Sequence, residues 1–342
     1  MRKALGLFIL LLVLSGIAFG WEWSQQGYSN FLTLGNWKNL LNWVGLFGIL
    51  ALAQSIVIIT GGIDLSVGSV VGLVPITAAL LMNEHEWHPA FALPLSLLIA
   101  AAIGIVHGLF ITRLRMQPFI VTLCGLFVYR GIARFIAEDK TQGFGIAHNK
   151  LRWLGNGSLL DLFPSYVPPP GEPLTYGMRL LSAVAAPLVI MLLLGAVLAA
   201  YLHFAAQGRH LFALGANEEA ARFSGIRTRR LKLVAYLLCS LITGVGGLLF
   251  GFKVNSMGPT DFGSSYELYA IAGAVLGGCS LRGGTGNVLG VILGITLIRV
   301  LTNLVNILSI PSELEFVVIG GAILVGVCVD ELLTRRARLD TM

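Results

Sequence analysis

The chain of 342 residues has 56% hydrophobic residues, only 12% charged residues and a net charge of +6. With a mean hydropathy of +0.83, it has too few charges to clothe a soluble protein of this size, so lipid must solvate most of it. The excess of Lys and Arg does not indicate nucleic acid as a partner, because the basic residues sit at the ends of apolar runs rather than in one patch.

A hydrocarbon core about 30 Å thick takes about 20 apolar residues per helix. Runs such as 183–204 are apolar on every face, unlike the alternating segments of a transmembrane barrel. Spans are expected near residues 4–22, 40–60, 66–82, 90–112, 117–137, 180–204, 231–252, 266–282, 287–308 and 313–331. The fold class is therefore all-α, a polytopic transmembrane helical bundle of about ten spans with broken helices, forming one domain over 1–342. Met1-Arg2-Lys3 followed by 4–20 has the layout of a secretory signal, with Ala18-Phe19-Gly20 as a passable cleavage site. An uncleaved first span is the favoured reading, since the later spans insert without a removable leader.

A cytoplasmic N-terminus places Arg113, Arg115, Arg209, Arg222, Arg227, Arg229, Arg230, Lys232 and, in a cytoplasmic C-terminus, Arg335, Arg336 and Arg338 on the inner side. That satisfies the positive-inside rule, and the outer stretches 83–88 and 255–267 carry acids without Lys or Arg. Residues 138–179 form a long outer loop, where Pro164, Pro168, Pro169, Pro170 and Pro173 oppose a continuous helix. Its Lys140, Lys150 and Arg152 are an exception that long loops are permitted. Cys124, Cys239, Cys279 and Cys328 all lie inside apolar runs without a CxxC pair or a histidine cluster, so they are read as core thiols and no metal site is expected.

The sharpest local feature is the polar break TGGIDLSVGS at 60–69. Ionisable groups within membrane segments usually face a protein interior or a water-filled path, which makes Asp64 a functional candidate. The plainer reading is an N-cap for a helix beginning at Leu65; the two are compatible, because broken helices with exposed termini build transporter sites. GGIDLSVG at 61–68 is faintly echoed by GGCSLRGG at 277–284, too weakly in a glycine-rich chain to count as a repeat.

The second feature is the inner loop at 205–230. There Asn217 can cap a short helix running to Arg222, Glu218 and Glu219 suit its positive end, and Gly225 can stop it. Such a helix is either a basic surface element lying on lipid or a docking element for a cytoplasmic partner, with Ala220 and Ala221 small enough to fit a cleft.

GGIDLSVGS at 61–69 and ALGANEEAARFSGI at 213–226 resemble the two signatures of ribose-type ABC transporter permeases. The stretches 117–131 and 266–278 also look like segments of that family, in the same order, so the likeness spans about 40–330. The resemblance implies a type II importer-like permease, paired as a homodimer around a translocation path, that imports a small pentose- or hexose-like sugar through the inner membrane. A separate ABC ATPase would bind the ATP, and a periplasmic or extracellular sugar-binding protein would deliver substrate. By that analogy Asp64, Ser66 and Gly68 shape the path, while Ala213, Gly215, Asn217, Glu218, Ala220, Ala221 and Gly225 form the ATPase-coupling loop. His107 and Cys124 stand where Asn and Gly are common, and Tyr269 and Cys279 replace a usual Asp and Thr, which leaves the sugar open, nucleosides and quorum-signal furanoses included.

No GxxxxGK[ST], GxSxG or HExxH occurs, so neither a P-loop of its own nor an embedded hydrolase is expected. The rivals are an ion-coupled secondary transporter, for which Asp64, His107 and Arg130 are the available ionisable groups, and a scaffold or receptor that would leave Asp64 without a purpose. His107 is read as polar packing between helices, and Arg299 is expected to face the bundle or snorkel to an interface.

Overall fold

The computed structural model describes residues 2–27, 29–146, 148–163, 175–321 and 324. Cys328, Arg335, Arg336, Arg338 and the five prolines of 164–173 lie outside them. In chain order the helices are α1 (Arg2–Gln26), α2 (Leu34–Ile59), α3 (Val67–Asn83), α4 (Pro89–Arg113), α5 (Pro118–Ile136), α6 (Asn149–Asn156), α7 (Tyr176–Ala183), α8 (Ala186–Phe204), α9 (Ala206–Ala216), α10 (Glu218–Phe223), α11 (Thr228–Val254), α12 (Tyr266–Leu276) and α13 (Val288–Ile307). Among the described residues there is no strand, only the isolated bridges Gln142 with Met257 and Ser158 with Ala185.

Helix ends follow local chemistry. Thr33 accepts from the Asn36 N–H, His88 from that of Ala90 and Asn287 from that of Leu289, while prolines open α4 and α5, where no N–H is needed. Helices α1, α2, α4, α5, α8, α11 and α13 contain stretches long and apolar enough to cross a membrane, whereas α3 and α12 are shorter. The expected span at 266–282 is therefore corrected. Gly277 caps α12 after Leu276, and Gly278 turns the chain with φ +94°, a conformation that only glycine adopts without strain. The last expected span, 313–331, lies partly outside the described residues, which are helical at 315–321.

Helix α2 is the hub: 94% of its most apolar window is buried, and it meets α8, α11, α12 and α13. Helix α11 crosses α4 at small residues. A Cβ on Gly104 would lie 2.6 Å from the Leu237 Cα, and one on Gly108 would lie 2.8 Å from that of Leu233. With no hydrophobic force between helices in lipid, such close approach supplies the packing that holds the bundle. Gly104→Val is expected to lower stability by about 1–3 kcal/mol through overpacking. A detergent melting curve identical to the parent protein's would contradict this crossing.

The segment expected as an outer loop is partly folded. Helix α6 lies over the ends of α2 and α11, where Asn42 Nδ2 donates to the Gly155 carbonyl at 3.1 Å and Lys253 Nζ donates to Asn156 Oδ1 at 2.9 Å. The short helix forms ahead of the proline-rich stretch, so the prolines do not prevent it. This end of the bundle is opposite α9 and α10, which precede the start of α11. The reading of all cysteines as core thiols is also corrected, since Cys239 and Cys279 are buried but Cys124 is exposed. On α5 it is the neighbouring Gly125, not Cys124, that turns inward against His107.

Candidate functional site

The chain leaves α2 through a Schellman ending. Gly61, at φ +82°, donates to the Ile58 carbonyl, and Gly62 donates to that of Val57. Five residues later α3 begins at Val67, so the expected helix start at Leu65 with Asp64 as its N-cap is displaced. Ser66 occupies the N-cap without a side-chain cap bond. Asp64 instead closes an Asx turn ahead of it: Oδ1 accepts from the Ser66 N–H at 2.9 Å and from Ser66 Oγ at 2.6 Å.

Asp64, Ser66 and Gly68 are all buried. Asp64 is only 1% exposed, and its surroundings are polar. With its amide turned to match its partners, Gln54 donates to the Asp64 carbonyl at 3.2 Å and accepts from the Asp64 N–H at 3.0 Å. His107 Nδ1 stands 3.8 Å from Asp64 Oδ2, and His107 Nε2 pairs with the Tyr129 hydroxyl at 2.9 Å. The sequence alone identified no partner for Asp64 and assigned His107 to packing; in the fold the two face one another. Along α11, the buried hydroxyls of Tyr236 and Ser240 have no hydrogen-bond partner, and that of Tyr236 lies against Gly62 of the Asp64 turn. Buried polar groups left unpaired in apolar surroundings are costly, so the free Tyr236 hydroxyl beside a buried carboxylate and its histidine marks a functional region. Gly68 is held on its other side: a Cβ there would strike the Glu267 carboxylate and the Gly263 carbonyl.

The inner loop folds as α9 and α10. Asn217 Oδ1 accepts from the Ala220 N–H at 3.0 Å, Gly225 takes φ +82°, and the Ile226 N–H returns to the Ala221 carbonyl at 3.1 Å. Ala213, Asn217, Glu218, Ala220 and Gly225 are exposed, whereas Ala221 is buried and Gly215 half-buried. Of the two alanines expected to meet a partner's cleft, only Ala220 is open to one, because the short α10 buries one face on α9 and Ala221 lies on it. Phe223 is the residue that sequence reasoning passed over. It is 81% exposed, with the Arg222 guanidinium 5.5 Å from its ring centroid. Lys232 Nζ donates to Glu218 Oε2 at 2.6 Å, fastening α10 to the start of α11.

Gly215 joins the two features. A Cβ on it would overlap the Ile59 carbonyl oxygen and the Gly284 nitrogen, and the Gly284 N–H donates to that same Ile59 carbonyl at 2.9 Å. A Cβ on Gly283 would lie 2.9 Å from the Gly61 nitrogen. Backbone from the end of α2, the end of α9 and the turn after α12 thus meets in direct contact, and the first of these leads within a few residues to Asp64.

Arg299 faces the bundle from α13. Its guanidinium carbon lies 4.1 Å from the Phe47 ring centroid and 4.5 Å from that of Tyr269. Neither aromatic partner is near it in sequence, which is why the sequence left its position open.

The family described as branched-chain amino acid transport system / permease component matches residues 36–327. The ribose import permease protein RbsC of Bacillus subtilis (strain 168) is 34% identical, covering 95% of this chain and 91% of its own. RbsC of Escherichia coli (strain K12) is 33% identical over 88% and 87%, and the xylose transport system permease protein XylH of the same strain is 29% identical over 97% and 93%. No solved structure matches. With the family match covering most of the chain and relatives above 30% identity extending over nearly all of it, the chain belongs to the branched-chain amino acid transport system / permease component family.

Proposed function

We propose that this chain is the membrane-spanning subunit of an ATP-driven importer of a small sugar, working as a homodimer in the cytoplasmic membrane. Both termini and α10 face the cytoplasm in this reading, as the basic residues around 209–232 favour. A separate ATPase docks on α10 through the exposed Asn217, Glu218, Ala220 and Phe223, and a sugar-binding protein delivers solute at the end covered by α6. The relatives named for ribose and xylose support a pentose-sized substrate.

The observation that carries this reading is the backbone junction at Gly215, Ile59 and Gly284. An ATPase that shifts α10 must move α9, and α9 cannot move without displacing the end of α2 and hence the Asp64 turn. Small displacements at a close-packed junction become discrete rearrangements because packed interfaces do not deform continuously. Asp64, Ser66 and Gly68 then shape the path at the point where that movement arrives.

The Asp64, His107 and Tyr129 chain favours one second reading, proton-coupled transport, in which the carboxylate itself would carry the coupling ion. Proteoliposomes holding the complex separate the two. Uptake of labelled ribose or xylose is expected to require ATP and to survive a protonophore. Uptake abolished by the protonophore and indifferent to ATP would overturn the importer reading.

A further inference from the structure

A recess of about 350 Å³ opens between α2, α12 and α13, away from the Asp64 turn and toward the end opposite α10. That volume lies at the lower end of small-ligand cavities, about 300–1,000 Å³. Arg299 lines it and is 7% exposed. Its Nε and Nη2 have no hydrogen-bond partner. The Phe47 and Tyr269 rings, themselves 5.3 Å apart, lie together against one side of this cation and help fix its direction while Nε and Nη2 stay free. A buried guanidinium with a rigid fork of free N–H groups is costly unless something completes it. The recess is where an acceptor can reach it.

Glu315 supplies the complementary group. Its Oε1 accepts from the Tyr269 hydroxyl at 3.3 Å and from Thr302 Oγ1 at 3.2 Å, leaving further acceptor sites on the carboxylate. Asn303, on the same wall, is held by paired amide bonds to Asn36 at 3.2 and 2.7 Å. Trp43 adds a third aromatic wall.

We propose that this recess is a sugar-binding site of the permease itself, taking a single neutral ring whose neighbouring hydroxyls bridge Arg299 and Glu315. A hydroxyl both donates and accepts, so it satisfies the free guanidinium and the carboxylate at once, while the apolar C–H face of the ring lies on the half-buried Trp43. A sugar acid would gain at Arg299 but meet repulsion at Glu315, and an amino sugar would meet the reverse. The inference rests on the importer reading, in which this end faces outward and the sugar reaches the recess before the Asp64 turn. It adds the chemical class of the substrate and the residues that select it.

The test uses the complete transporter in ATP-loaded proteoliposomes, with a panel of labelled aldopentoses and aldohexoses and with ribonate as an anionic competitor. Size-exclusion chromatography of each complex is the assembly control. The wild type is expected to take up at least one neutral sugar without inhibition by ribonate. Arg299→Lys keeps the charge but loses the fork, and uptake should fall about tenfold or more. Glu315→Gln should change the order of preference among the sugars and turn ribonate into an inhibitor, an outcome that a merely structural role would not produce. If Arg299→Lys does not assemble, Glu315→Gln alone decides. Unchanged rates and unchanged preference in the assembled variants would overturn the site, and inhibition of the wild type by ribonate would overturn the neutral class. A wild type that moves no sugar of the panel would instead bring down the importer reading, and this inference with it.

Discussion

Gly215→Val is expected to leave the chain inserted and bound to its ATPase while ATP-driven uptake falls at least about tenfold. The added side chain has no room, because a Cβ alone would already overlap the Ile59 carbonyl and the Gly284 nitrogen. Backbone cannot step aside as a flexible side chain can, so the end of α9 must withdraw from α2, at about 1–3 kcal/mol for overpacking and at the loss of the contact that conveys movement. The residues of α10 stay exposed on the surface as α10 moves with α9, which is why docking survives. The measurement is uptake per assembled complex, with the amount of bound ATPase read from the same preparation. Normal uptake in Gly215→Val would show that the junction conveys nothing.

Asp64 gives the second large effect. Asp64→Ala removes the acceptor for the Ser66 N–H and hydroxyl and leaves His107 facing an apolar gap. Buried donors stripped of a partner cost about 1–3 kcal/mol, so a clear loss of thermal stability in detergent is expected, together with loss of uptake. Asp64→Asn keeps an acceptor oxygen for Ser66 and should recover most of the stability. Uptake then separates the turn from the charge. Near-normal uptake in Asp64→Asn would assign Asp64 to holding the start of α3, whereas a stable but inactive variant would assign the carboxylate and its His107 neighbour a direct part in transport. Equal stability of the Ala and Asn variants would contradict the Asx-turn geometry.

What could be read in the sequence was local. Asn217 as a cap and Gly225 as a stop follow from side-chain and backbone preferences that act within a few residues, and both stand in the fold as expected. Hydropathy marked the seven helices of the described residues that are long and apolar enough to cross a membrane, because lipid imposes a minimum apolar length. It failed to end α12 correctly, since Gly277 and Gly278 do not interrupt an apolar run even though Gly278 turns the chain. Reading Asp64 as an N-cap placed the start of α3 two residues early, because the Asx turn there uses the same residue type as a cap. The facing of Asp64 and His107, the packing of Arg299 against Phe47 and Tyr269, and the backbone junction at Gly215 depend on elements distant in sequence. No local pattern encodes them. The departure of Tyr269 from its family's usual residue was visible, but its consequence, a ring against Arg299 and a hydroxyl on Glu315, required the fold.

Two echoing stretches also gain a physical reading. The turns after α2 and after α12 both close as Schellman endings, with glycine at positive φ at Gly61 and Gly278, although their letters match one residue out of step. The positive φ at both turns accounts for their shared need of glycine, and beyond the second of them Gly283 and Gly284 meet α9 at Gly215 and Ala216.

Docking of an ATPase on α10 is tested by isolating the tagged chain gently from its native membranes and identifying its companions by mass spectrometry. Glu218→Arg combined with Phe223→Asp serves as the docking-deficient variant, since both side chains are exposed and neither supports the membrane core. An ATP-binding subunit is expected to accompany the parent chain and to be lost from the variant, which remains inserted. Recovery of the parent chain without an ATPase, active in ion-driven uptake after reconstitution, would contradict it.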